Sequence, residues 1–322
     1  MILSYLILIK TNNKLPGILI TPSIYINLHP QRLLFSTSHK YYFMKTRRDF
    51  LKNSAAIAAG AVLLPSFTNP SKKIDNIGIQ LYTVRKEMMA DATGTLKKLA
   101  ALGIKQIESA GSEKGYYYGL QPKEIKNICD GLGMKLSSGH IHLDDKWKQT
   151  LEDAVTSGQE YLICSSMPTA GQTVDNYKKT AAAFNKAGED SNKVNIKFGY
   201  HNHDFEFEKE NGQVLYDVLL DNTDPGLVHM ELDLGWVIAT GNDPLIYFKN
   251  HPGRFPLWHL KDMDLQKKQS TEFGKGGLQI LQILQHSKQS GMKYFYVEQE
   301  EYTHSALESM KENMDYLTKL KL

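Results

Sequence analysis

The chain has 322 residues, with 38 Lys and Arg against 35 Asp and Glu and a formal charge of +3. The excess belongs to the first 70 residues, which hold 8 of the basic and 1 of the acidic side chains. Residues 71–322 therefore carry 30 basic against 34 acidic groups, a balance of −4, so the overall positive charge is no evidence for nucleic-acid binding.

Residues 1–43 contain no acidic side chain, and Pro16, Pro22 and Pro30 interrupt every apolar run. None of these runs reaches the ~18–20 residues that span a bilayer. The segment reads as an extension or an upstream mis-start of translation. The second is favoured because a targeting signal begins at Met44. Thr46-Arg47-Arg48-Asp49-Phe50-Leu51-Lys52 precedes the short, mildly apolar stretch Asn53–Leu64. A basic region followed by such a stretch is a signal peptide rather than a membrane span. The paired arginines resemble the twin-arginine export signal, which implies a periplasmic protein without stable membrane insertion. Residues 44–73 are thus expected to be signal and linker, and 74–322 the folded domain.

From residue 74 onward, apolar β-type runs alternate with helical patterns. The expected strands are Ile77–Thr83, Ile104–Ser109, Lys135–His142, Tyr161–Ser165, Lys197–Phe205, Leu227–Asp233, Pro256–Asp262 and Tyr294–Gln299. The expected helices are Thr95–Leu102, Lys123–Leu132, Gln149–Ser157, Val174–Glu189, Val214–Leu220, Pro244–Asn250, Leu278–Ser287 and Ala306–Leu317. Gly103 and Gly133 supply helix stops. Strands alternating with helices predict a parallel sheet. Eight such units in about 250 residues predict an α/β fold, a closed (β/α)8 TIM barrel in one domain. A doubly wound sheet usually carries a Gly-rich loop after its first strand, and Gln80–Arg85 has no glycine. Cys129 and Cys164 read as small core residues.

Catalytic groups of such barrels sit at the C-terminal ends of strands. The last four strands all end in metal-ligand types: His201 and His203, Glu231 and Asp233, His259, and Glu298. Side chains alternate along a strand, so His201 and His203 share a face, as do Glu231 and Asp233, and His259 and Lys261. Charge gathered at one end of a packed barrel is costly unless a cation pairs with it. A mixed imidazole and carboxylate shell suits one divalent ion, Mn²⁺, Mg²⁺, Co²⁺ or Zn²⁺. The lack of cysteine ligands argues against structural zinc.

Ile79–Arg85, Tyr200–Phe207, Glu231–Trp236, His259–Met263 and Val297–Gln299 together resemble the xylose isomerase-like barrel superfamily, in its sugar phosphate isomerase/epimerase group. The resemblance runs from about Gly78 to Leu317. It implies one metal held by Glu, Asp, His and Glu from strands five to eight. Asp233, His259 and Glu298 match the last three. The first Glu is missing, and the strand-five ligand is His201 or His203. The chemistry implied is proton abstraction beside a carbonyl through an enediolate, on a small carbohydrate. Glu298 or His140 would be the base, and Lys261 a hydrogen-bond donor to the same oxygens. His142 and the aromatic Tyr82, Trp236 and Trp258 are candidate sugar contacts. A sugar isomerase or epimerase is the first expectation. A lyase or dehydratase acting on an oxidised sugar such as a 3-keto-glycoside is the alternative, which export favours. A nuclease would need a larger metal cluster and a basic face. A non-enzymatic sugar-binding protein would not need converging metal ligands.

Overall fold

The computed structural model describes residues 74–322. The expectations placed on residues 1–43 and 44–73 lie outside the described residues. Eight strands form a closed barrel: β1 Gly78–Gln80, β2 Gln106–Ser109, β3 Lys135–Ile141, β4 Tyr161–Cys164, β5 Lys197–His201, β6 Val228–Asp233, β7 Leu257–Leu260 and β8 Tyr294–Val297. Every neighbouring pair is parallel. The barrel closes where Gly78 and Ile79 of β1 meet Tyr296 and Val297 of β8. The expected α/β barrel is therefore present.

Period-two alternation sorts each strand into two faces. Ile79, Ile107, Leu162, Phe198, Tyr200, Met230, Leu232, Trp258, Leu260 and Val297 point outward into the apolar layer beneath the helices. Tyr161, Ile163, Leu257 and Tyr296 point inward and form a separate small plug. Above that plug the same inward parity places Glu108, His140, His201, Glu231, His259 and Glu298, so the barrel interior changes from apolar to ionisable toward its mouth. A register shift between Ile107 and Glu108 brings Ser138 opposite Glu108.

Six of the eight strands end earlier than expected, while β2 and β6 end at Ser109 and Asp233 as expected. β1 stops at Gln80 and runs into a 3-10 turn, Leu81–Val84, and then a helix, Arg85–Ala90. The turn begins where the Gln80 side chain accepts the Tyr82 backbone N–H. β5 stops at His201, and a turn at Phe205–Phe207 follows, closed by the buried Glu206 carboxylate, which accepts the His203 N–H at 2.8 Å and the Tyr200 hydroxyl. A short helix, Leu234–Ala239, follows β6 directly because Asp233 caps it. The expected helix over residues 278–287 is two pieces, Ile280–Gln285 and Ser287–Ser290. Cys129 and Cys164 are both buried and unpaired. Among the described residues, no helix is long and apolar enough to cross a membrane.

Candidate active site

Four inward residues converge above the plug: His201 from the end of β5, Asp233 from β6, His259 from β7 and Glu298 just beyond β8. Their ligand atoms lie within 4.8 Å of one another, and all four are buried. His259 Nδ1 is 2.8 Å from Glu298 Oε2 and 3.9 Å from Asp233 Oδ2, and His201 Nε2 is 3.8 Å from the same Asp233 oxygen. A second quartet, His140, His201, Glu231 and His259, shares both imidazoles and lies on their other side. Glu231 Oε2 is 2.7 Å from His140 Nε2 and 3.2 Å from both His201 Nδ1 and His259 Nε2.

Local backbone explains how Asp233 is aimed. Its N–H donates to Asn202 Oδ1 at 3.0 Å, and its Oδ1 accepts the Trp236 N–H at 3.0 Å as a helix cap. One carboxylate oxygen is thus consumed by the fold. Oδ2 faces the cluster with no aligned hydrogen-bond donor, although Lys261 Nζ stands 2.9 Å away. A carboxylate oxygen 3.8–3.9 Å from two imidazole nitrogens, in a set of His, Asp and Glu ligand atoms within 4.8 Å of one another, is what a divalent cation would bridge. The residues present therefore fit a metal.

Lys261 is almost fully buried, and its ammonium meets Asp233 at 2.9 Å, Glu298 at 2.8 Å and Glu300 at 2.8 Å. It does not pair with Asp262, whose carboxylate instead accepts backbone N–H groups from Met263, Gly274, Gly276 and Leu278. Gly235 makes the Lys261 position possible: a Cβ there would lie 2.8 Å from both the Lys261 backbone oxygen and its Cγ.

The charges respond to this crowding. Burial opposes protonation of Lys261, but Asp233, Glu298 and Glu300 outweigh it and hold its pKa well above the ordinary lysine range. Burial also opposes protonation of His259, yet Glu231 and Glu298 hold it well above 6.5. Burial raises the Glu298 carboxyl, but Lys261 and His259 outweigh this and pull it well below 4.5. His140 and His203 are each drawn down to about 4, chiefly by burial. Burial and the charge of Glu231 lift Glu108 to about 7.

A cavity of about 650 Å³ opens over the cluster, a size suited to a small organic ligand. Tyr82, His140, His142, His201, His203, Lys261 and Glu298 line it. His142 holds Ser166 Oγ through Nδ1 at 2.8 Å. His203 lies two residues past the end of β5, stacks on Phe205 and belongs to neither quartet, whereas His201 belongs to both. One expected sugar contact is corrected. Trp258 is fully buried on the outward face of β7 and stacks on Phe248 at 4.9 Å, because it neighbours the inward His259. Trp236 is half-buried beside the cavity, with the cavity-lining Lys261 Nζ 5.0 Å from its ring centroid.

Sequence reasoning passed over Glu108, which is fully buried on β2 and 2.7 Å from His259 Nε2. The available signal was a carboxylate inside a four-residue strand, Gln106–Ser109, on the inward parity. Glu300 was passed over as well.

The profile described as "Xylose isomerase-like TIM barrel" matches residues 96–320. The chain belongs to this family. Two solved structures from Parabacteroides distasonis, both described as sugar phosphate isomerase/epimerase, are similar to it. One is 26% identical, covers 80% of this chain and 98% of that one, and superposes with a TM-score of 0.68. The other is 29% identical, covers 77% and 99%, and has a TM-score of 0.69. A curated relative, inosose dehydratase from Clostridium tetani, is 31% identical over 192 residues, or 52% of this chain and 62% of that protein. The chain thus spans about three-fifths of the length of this curated relative.

Proposed function

We propose that this family member is a metal-dependent sugar isomerase or epimerase that works by removing a proton beside a carbonyl. The observation that carries the reading is the convergence of His201, Asp233, His259 and Glu298 beside a buried lysine, at the floor of a ligand-sized cavity. These four residues would hold the metal. When bound, it supplies the positive charge that stabilises an enediolate. The sugar phosphate isomerase/epimerase description of the two P. distasonis structures supports the same reading.

His140 is the base in this account. Its Nε2 lies 2.7 Å from Glu231, which fixes that nitrogen as the donor and leaves Nδ1 basic. A pKa near 4 keeps it neutral at neutral pH. Glu298 is committed elsewhere: its Oε2 lies 2.8 Å from both Lys261 Nζ and His259 Nδ1, and it is one of the four residues that would hold the metal. Lys261 stays protonated and donates to substrate oxygen. The substrate is a small carbohydrate.

A second reading, elimination of a leaving group after the same proton abstraction, is favoured by the inosose dehydratase relative. The test is incubation with ketoses, inososes and 3-keto-glycosides in D2O, followed by NMR. Deuterium at the carbon beside the carbonyl is expected, with rearranged sugar for an isomerase or a lost hydroxyl or aglycone for a lyase. No exchange with any member of the panel would overturn the proposal.

A further inference from the structure

Both imidazoles at the centre of the site lie between carboxylates, and His259 is hydrogen-bonded through both ring nitrogens. The mouthward nitrogens, His259 Nδ1 and His201 Nε2, face Asp233 and Glu298. The floorward nitrogens, His259 Nε2 and His201 Nδ1, face two other carboxylates. His259 Nε2 is 2.7 Å from Glu108 Oε1, and His201 Nδ1 is 3.2 Å from Glu231 Oε2. A neutral imidazole has one N–H and one lone pair. If a metal takes the mouthward lone pair, the floorward nitrogen carries the hydrogen and needs an acceptor. Carboxylates in that position fix the tautomer and ring orientation of metal-ligating histidines.

Glu108 is built for this. It is fully buried and held from both neighbouring strands: Gln80 Nε2 donates to Oε1 at 3.0 Å, and Ser138 Oγ donates to Oε2 at 2.7 Å. The Gln80 amide cannot turn round, because its oxygen accepts the Tyr82 N–H at 3.1 Å. Both donors therefore meet Glu108 as an acceptor, and its Oε1 is left aimed at His259. None of these contacts touches the cavity, and Glu108 is absent from the cavity wall.

We propose that Glu108 is a positioning residue that accepts the His259 Nε2–H and so aims His259 Nδ1 at the metal. This rests on the metal-site reading given above. It also places the ion on the mouth side of the imidazoles, and not in the His140, His201, Glu231 and His259 quartet below them.

The test uses the full chain, Zn²⁺ as the probe and ¹⁵N-labelled histidine. In the wild type, His259 should bind Zn²⁺ through Nδ1 and keep its hydrogen on Nε2. Glu108→Leu should weaken Zn²⁺ affinity about 10–100-fold in chelator competition and leave His259 in mixed tautomers. Glu108→Gln, which keeps an acceptor oxygen, should restore most of both. A purely structural role would lower stability without moving the tautomer. Wild-type protein that binds Zn²⁺ through His259 Nε2 overturns the inference, even if Glu108→Leu does not fold. So does Glu108→Leu protein with unchanged affinity and tautomer. A chain that takes up no Zn²⁺ at all defeats the metal-site reading itself, and this inference with it.

Discussion

Lys261→Met is the perturbation whose size follows most directly from the structure. Methionine keeps the buried stem beside Gly235 but removes an ammonium within 2.9 Å of Asp233, Glu298 and Glu300. Breaking a buried ion pair by removing one partner costs about 3–5 kcal/mol, because an uncompensated charge is left behind. In a domain of this size about 4 kcal/mol corresponds to a fall in Tm of roughly 10 °C. That loss is expected in protein stripped with EDTA. A divalent ion among His201, Asp233, His259 and Glu298 would neutralise two of the three carboxylates, so the loss should shrink in metal-loaded protein. If it shrinks by about 3 kcal/mol, linkage requires the variant to bind metal about 100-fold more tightly than the wild type. Urea unfolding of stripped and loaded protein, wild type and variant, measures all four states. Stripped Lys261→Met as stable as stripped wild type, or an equal loss with and without metal, would refute the reasoning.

His140→Gln should cut deuterium exchange about 10²–10⁴-fold while metal content stays normal; normal exchange would return the role of base to Glu298. Trp258→Ala should cost about 3–5 kcal/mol of stability with KM unchanged in the protein that remains folded, and a raised KM would put Trp258 back in the site. Burial holds the Glu206 carboxyl up at about 8 against an ordinary 4.5. The folded chain therefore keeps a proton that the unfolded chain releases. This contribution is fully present below about 4.5 and is lost as pH rises through about 8. Glu206→Gln should flatten the fall in stability between pH 6 and 8.5 in urea titrations, and an unchanged slope would contradict this.

The barrel was legible because its signals are local. Alternating parity paired His201 with His203, Glu231 with Asp233 and His259 with Lys261 within their strands, and the family resemblance singled out Asp233, His259 and Glu298. The same parity speaks against Trp258, which adjoins His259 and must face the helices. Helix Leu234–Ala239 was hidden because its cap, Asp233, also reads as a strand-end ligand. The end of β5 was hidden because the Glu206 carboxylate turns the chain at His203, and that contact joins residues whose own pattern still reads as extended. Glu108 was illegible as a partner of His259 because 151 residues separate them, and only barrel closure brings β2 near β7. His201 could be chosen over His203 only once Asp233 and His259 had positions.

Metal content tests the central claim most directly. Purified protein, and an Asp233→Ala variant of the same chain, should be analysed for bound divalent metal before and after chelation and assayed for proton exchange at each stage. The account predicts one ion per chain in the wild type, exchange that is lost on chelation and returns on reloading, and a folded Asp233→Ala protein with neither metal nor exchange. Wild-type protein that still exchanges the proton when stripped of metal, or an Asp233→Ala protein that retains a full complement, would contradict it.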